Sequence, residues 1–226
     1  MRIAVLGTGS VGRTVAARLS DLGHEVAVGT RDPGATLARS EPDRMGNPPF
    51  AVWHAEHPGI RLGTFADAAA PSELVVNATG GAGALDALTS AGAPNLAGKV
   101  LLDISNPLDG SQGFPPTLFV KDTDSLAEQI QRAFPDARVV KALNTMTAAV
   151  MVDPGRVGGG DHSTFVSGND PAAKQTVVAL LESMGHTDVI DLGDLSTARG
   201  AEMYLPLWIR LMGALGTPFF NIKVVR

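Results

Sequence analysis

RIAVLGTGSVGRTVAARLSDLGHEVAVGTRDP, residues 2–33, decides the fold. It opens on a short apolar run, RIAVLG (2–7), and passes into Gly7-Thr8-Gly9-Ser10-Val11-Gly12, a G-x-G-x-x-G pattern. Val11, Val15, Leu19 and Leu22 then recur at steps of four, four and three, which lays one apolar stripe along a helix. Gly23 stops that helix, and EVAVGT (25–30) reads as a second strand. The glycine pattern alone is weak. Placed between a strand and a helix, with a second strand following, it specifies a dinucleotide-binding turn.

Each glycine has a physical reason. Gly7 permits the tight turn, Gly9 lets backbone N–H groups approach a pyrophosphate, and Gly12 lets the helix lie close to the sheet. The helix N-terminus adds partial positive charge, and Ser10 a hydroxyl. In this arrangement the second strand ends beside the adenine ribose. An acid there accepts from the 2′-hydroxyl and repels a 2′-phosphate. This chain has Gly29, Thr30 and Arg31 at that place and no acid before Asp32. A guanidinium suits a phosphate bidentately, so the expected cofactor is NADP(H) rather than NAD, held in part by Thr30 and Arg31.

Strand-like and helix-like stretches continue to alternate. IRLGTF (60–65), ELVVNAT (73–79), KVLLDIS (99–105) and RVVKALN (138–144) read as strands, and LDALTSA and DSLAEQIQRAF (124–134) as helices. Residues 32–59 are rich in Pro and Gly and read as a short helix and a long loop. This is an α/β chain: a Rossmann domain with a mostly parallel sheet, residues 1–155. After a Gly-rich turn, GRVGGGD, the stretches STFVSG (163–168), PAAKQTVVALLESMG, DVIDLGD (188–194) and a last helix over about 196–214 suggest a small C-terminal α/β lobe, residues 156–226.

Composition narrows the function classes. The chain has 226 residues, 44% hydrophobic, enough for one sizeable packed domain. A net charge of −5 argues against nucleic acid as a partner. With no cysteine, disulfides, thiolate zinc sites and cysteine nucleophiles are excluded. The most apolar stretch, residues 201–220, contains Glu202, Pro206, Arg210 and Pro218 and reads as a buried terminal helix rather than a membrane span. No signal peptide precedes the first strand, so a soluble cytoplasmic protein is expected. The side chains of Tyr204, Leu205, Leu207, Trp208, Leu211 and Met212 suggest a homodimer through that helix.

Ligands of such sheets lie beyond the carboxyl ends of the strands. Those ends are Ala78-Thr79-Gly80, Ser105-Asn106-Pro107 and Ala142-Leu143-Asn144-Thr145. They offer small, hydroxyl and amide groups, either toward a cofactor or as ordinary turn caps. That set suits direct hydride transfer between bound rings, with no catalytic side chain and no metal. Lys141 is placed to reach a phosphate or amide, or to snorkel to the surface. Asp103 is an acid–base candidate or the cap of its own turn. His54 and His57 form at best half a metal site, and Asp161-His162-Ser163 holds triad residue types without triad geometry. Tyr204, Trp208, Phe219 and Phe220 either wall a flat ring or fill a core or subunit interface.

RIAVLGTGSVGRTVAARLSDLGHEV, GTRDP, LLDISNPLD, RVVKALNTMTAAVMVDP and the segment from VIDLGDLSTARGAEMYLPLW onward resemble, in order, the NADP-dependent coenzyme F420 oxidoreductase family. The resemblance implies NADP on the Rossmann domain, held by Thr8 to Val11, Thr30 and Arg31, with Ala142 to Thr145 near the nicotinamide. It implies a deazaflavin, coenzyme F420, packed on that nicotinamide beneath the C-terminal lobe. Two stretches depart from the pattern: DRMGNPPFAVWHAEHPGIRL is long, and NATGGAG stands where a more apolar loop is expected. The competing readings are an NADPH-dependent flavin, ferric or imine reductase, and a non-catalytic NADPH sensor. Imine reductases of related fold carry a large helical C-terminal domain, for which about 70 residues leave little room. An open cavity beside Asn144 favours an enzyme, and a filled one a sensor.

Overall fold

The computed structural model describes residues 1–42 and 46–226. Of the long stretch between the second and third strands, residues 43–45 lie outside the described residues. Among the described residues ten strands form: β1 (Arg2–Leu6), β2 (Glu25–Thr30), β3 (Arg61–Thr64), β4 (Leu74–Asn77), β5 (Val100–Asp103), β6 (Leu108–Asp109), β7 (Thr117–Leu118), β8 (Arg138–Ala142), β9 (Ser163–Gly168) and β10 (Asp188–Gly193). Eight of them make one sheet in the order β10-β9-β8-β5-β4-β1-β2-β3, and β6 and β7 pair as a separate hairpin. From β3 to β8 every pairing is parallel; β9 joins β8 antiparallel, and β10 follows β9 in parallel. The C-terminal segment therefore extends the Rossmann sheet and reverses its direction. The Gly158–Gly160 turn before β9 has positive φ at all three positions, a backbone that side chains resist.

The helices are α1 (Ser10–Asp21), α2 (Pro33–Leu37), α3 (Phe50–Glu56), α4 (Phe65–Ala69), α5 (Ala84–Ala91), α6 (Ala93–Leu96), α7 (Leu126–Ala133), α8 (Ala148–Val152), α9 (Pro171–Met184), α10 (Ala198–Met203) and α11 (Leu205–Leu215). The period-two alternation of β1 sorts two cores. Ile3 and Val5 face Val15 and Leu19 of α1, Val150 of α8 and Val177 of α9. Ala4 and Leu6 face Phe65 of α4, Leu88 of α5, Ile130 of α7 and Ala198 of α10. Both faces are covered, which is why the central strands read as nearly continuous apolar runs. Val166, Val177 and Leu181 share their core with Ile3 and Val140, so the C-terminal elements pack into the same interior.

The terminal stretch expected as one helix is two, α10 and α11. Pro206 in the first turn of α11 has no N–H to continue the ladder. Among the described residues no helix is long and apolar enough to cross a membrane.

Candidate cofactor cleft

At the carboxyl ends of β1, β4, β5 and β8 lies a cleft of about 720 Å³, within the usual range of small-molecule sites. The glycine turn forms one rim. Gly7 has φ of +123°, and a Cβ there would sit 2.6 Å from the carbonyl oxygen of Ala78. A Cβ on Gly12 would collide with the carbonyl oxygen of Gly7. Around Gly9, by contrast, nothing lies within 4 Å of where a Cβ would stand. Gly9 is also the N-cap of α1 and brings no side-chain cap, whereas Asp32, Ser125 and Asp170 each cap their own helices. The first-turn amides of α1 thus keep their hydrogen-bonding capacity for an anion.

Thr30 and Arg31 differ. Thr30 is buried, and its hydroxyl lies 2.8 Å from that of Thr36. Thr36 donates to the carbonyl oxygen of Asp32 at 2.7 Å, so the Thr30 proton goes to Thr36. Thr30 straps α2 to its strand. Arg31 is exposed, lines the cleft, and its guanidinium has no hydrogen bond or ion pair among the described residues.

Beneath the cleft runs a buried polar network. Lys141 is 1% exposed and spends its three protons on Asp103 Oδ2 (2.7 Å), Glu202 Oε1 (2.8 Å) and the carbonyl oxygen of Ser105. Burial pushes its ammonium down, but the Asp103 and Glu202 carboxylates outweigh that and hold it above the ordinary lysine range. Asp103 Oδ1 accepts from Asn77 Nδ2 (2.8 Å), the Ser105 hydroxyl (2.6 Å) and the Ser105 amide (3.2 Å). Glu202, from α10, also accepts the Leu126 and Ala127 amides that open α7, at 2.8 and 3.2 Å. Lys141 therefore neither snorkels nor faces a ligand, because two carboxylates meet it inside the protein. Asp103 does cap its own turn, and it carries the ion pair as well.

One layer above, Asn106 and Asn144 clasp each other. Asn106 Nδ2 donates to the Asn144 carbonyl oxygen (2.9 Å), and Asn144 Nδ2 donates to Asn106 Oδ1 and to the Ala201 carbonyl oxygen, both at 3.0 Å. Leu143, between Ala142 and Asn144, takes φ of +63°. A leucine in the left-handed region costs on the order of 1–2 kcal/mol and persists only where neighbours enforce it. The far wall comes from α11 through Leu205 and Trp208, the latter stacked on Phe220 at 5.2 Å.

Of the expected site residues, Ser10, Val11, Arg31, Ala78, Thr79, Gly80, Ser105, Asn106 and Asn144 line this cleft. Thr8 and Gly9 border a neighbouring cavity with Arg13, Arg39 and Ser40. Gly7, Gly12, Thr30, Pro107, Ala142 and Thr145 line neither and shape the turns behind. His54 and His57 bond the carbonyl oxygens of Ile60 and Trp53, and His162 donates from Nε2 to the Pro154 carbonyl oxygen and accepts at Nδ1 from the Asn221 side-chain amide, so neither group converges on a reaction centre.

The family model described as NADP oxidoreductase, coenzyme F420-dependent, matches residues 2–107. The F420-dependent NADP reductase of Methanothermobacter marburgensis is 30% identical over 215 residues, covering 93% of this chain and 92% of that protein. The chain belongs to the coenzyme F420-dependent NADP oxidoreductase family. A crystal structure from Arthrobacter sp. FB24, provisionally described as an F420-dependent NADP reductase, superposes over all of both chains with a TM-score of 0.97 at 67% identity. The metalloreductase STEAP3 of Rattus norvegicus is also 30% identical over 92% of this chain, which spans only 38% of that protein's length.

The family model stops after the β5 loop, so it includes the glycine turn, Arg31 and Asn106 but not Lys141, Asn144, Glu202 or Trp208. Sequence reasoning used Glu202 only as a charge that argues against a membrane span and did not foresee its buried pairing. Its signal was faint: one acid inside an apolar terminal helix, a charge that has to find a partner when buried. The Gly81–Gly83 turn at the end of NATGGAG lines the cleft. A Cβ on Gly81 would collide with the carbonyl oxygen of Asn106, so this glycine joins the β4 and β5 loops across the cleft.

Proposed function

We propose that this family member transfers a hydride between NADP(H) and a deazaflavin, coenzyme F420. One observation carries the reading: among the described residues the cleft has Arg31 as its single charged lining side chain, and its inner part is lined by amides, hydroxyls and apolar groups. Nicotinamide chemistry supplies the hydride when the cofactor is bound. The uncapped amides of α1 and the open space at Gly9 fit a pyrophosphate, and the exposed Arg31 guanidinium, unpaired among the described residues, fits a 2′-phosphate. Ser105, Asn106 and Asn144 orient polar edges of the rings, while Met146, Leu205 and Trp208 exclude water. Gly7, Gly12, Pro107, Ala142 and Thr145 hold the turns that present these groups.

Residues 156–226 are assigned the role of closing the cleft. The exposed Leu207 and Leu215 on α11 support a homodimer through that helix, and a cytoplasmic location fits the cysteine-free chain. The open cavity beside Asn144 favours an enzyme over an NADPH sensor. A second reading, an NADPH-dependent flavin or ferric reductase, is supported by the likeness to STEAP3.

The test mixes purified protein and NADPH with oxidised F420, FMN, FAD or a ferric chelate in separate reactions. Reduction of F420 with the highest kcat/KM is expected. Turnover of a flavin or ferric chelate without F420 reduction overturns the first reading and leaves the second.

A further inference from the structure

We propose that Glu202 and Lys141 are positioning residues for hydride transfer: their buried pair fixes α10 against the cleft floor and so sets where the Asn106–Asn144 amides stand. This inference rests on the hydride-transfer reading above.

The ammonium of Lys141 joins three separate parts of the molecule. Through Asp103 it reaches the β5 end and, by Asn77, the β4 end; through Ser105 it holds the loop carrying Asn106; through Glu202 it holds α10. Glu202 is anchored in turn on the first two amides of α7. The residue before it, Ala201, accepts the bond from Asn144 Nδ2. A shift of α10 therefore moves the acceptor that orients Asn144, and with it the Asn106 clasp. The left-handed Leu143 lies inside the same loop. Its conformation is the kind that relaxes when the surrounding bonds loosen. Downstream of Glu202 the chain turns at Pro206 into α11, which carries Leu205 and Trp208 into the cleft. One ion pair thus governs both the floor and the far wall.

Neither residue lines the cleft, so neither touches a reacting ring. Their effect is geometric. Transfer between two stacked rings depends steeply on separation, and a displacement of about 1 Å costs as much as ~100-fold in rate. An isolated stabilising contact would change how much protein is folded and leave the rate per folded molecule alone.

A second tie between α10 and α7 provides the control. Arg199 pairs with Glu128 at 2.6 Å, part-exposed and away from the cleft lining. The experiment compares wild type, Glu202→Gln and Arg199→Met in single-turnover hydride transfer from NADPH to F420. Competent sites are counted by NADPH titration. Glu202→Gln is expected to slow transfer about tenfold or more per NADPH-binding site. Its NADPH affinity is expected to change little, while Arg199→Met transfers at the wild-type rate. A wild-type rate per site in Glu202→Gln overturns the proposal, whatever its melting temperature. If Glu202→Gln does not fold, Glu202→Asp retains the charge but falls one methylene short; slowed transfer supports the proposal and an unchanged rate overturns it.

If the wild type reduces a flavin or ferric chelate instead, the same comparison runs with that acceptor, which separates a wrong acceptor from a wrong positioning role. A readout independent of any acceptor is hydrogen exchange in the NADPH-bound protein. Faster exchange over residues 143–147 and α10 is expected in Glu202→Gln and not in Arg199→Met. Equal protection in the two variants overturns the proposal.

Discussion

The two sides of the cleft are built by different means. On the amino-terminal side, backbone shapes the rim: the turn needs Gly7 for its φ and Gly12 for its close packing, and it leaves Gly9 open. On the carboxyl-terminal side, side chains far apart in sequence do the positioning: Asp103, Lys141 and Glu202 meet in one buried cluster, and Asn106 reaches Asn144. The first kind of site is local, encoded within six residues. The second depends on the whole sheet being assembled. The contrast predicts that damage on the first side falls on cofactor affinity and damage on the second on stability and rate.

The largest effect is expected from Lys141→Met. It strands two carboxylates in the interior, and removing one partner of a buried ion pair costs about 3–5 kcal/mol. Denaturant unfolding monitored by circular dichroism measures it. A loss below about 1 kcal/mol, the range of an exposed pair, would erase the distinction drawn here. Gly12→Ala comes next. Its methyl meets the Gly7 carbonyl, and overpacking costs about 1–3 kcal/mol. Because the collision deforms the turn proposed to hold the pyrophosphate, NADPH affinity should fall along with the melting temperature. A variant that melts early but binds NADPH normally would show that the turn is not the binding element.

How far the sequence foretold these two sides follows from the same contrast. The strand–glycine turn–helix–strand order, the place of Arg31 at the cleft and the parallel core were legible, because period, spacing and glycine sterics act over short range. Thr30 was legible as a strand end but not in its role, since the Thr36 hydroxyl that takes its proton comes from the short helix α2, whose packing against the strand no local pattern sets. The reversal of the sheet at β9 was not legible, because an apolar strand reads alike in either direction. Lys141 was visible only as a lysine at a strand end. Its partners lie 38 residues back, at Asp103, and at Glu202 in a helix that looked merely apolar.

Arg31→Ala sharpens the amino-terminal side by cofactor. An exposed guanidinium with no partner among the described residues has little structural duty to lose, so stability should hold. NADPH binding should weaken about tenfold, or about 1.4 kcal/mol, while NADH binding barely changes. Isothermal titration with both cofactors decides it, and equal losses would remove the 2′-phosphate assignment.

The smallest effect concerns the C-terminal tail. The Ser163 hydroxyl, then Lys223 and Arg226, hold the Asp188 carboxyl down to about 2. A depressed carboxyl stabilises above its unfolded value, and the contribution is lost as pH falls from about 4 toward about 2. Asp188→Asn should loosen residues 221–226 in hydrogen exchange at neutral pH and flatten the acid limb of the stability curve. An unchanged acid limb would show that the tail is held by Asn221 and the backbone instead.

The most direct measurement of the whole account follows a label. NADPH carrying deuterium on the transferable face of its nicotinamide is mixed with oxidised F420, and the reduced deazaflavin is analysed by mass spectrometry. Direct transfer predicts one deuterium in the product with a primary isotope effect on the single-turnover rate. Reduced deazaflavin without label, or no reduction at all while NADPH binds, would contradict it.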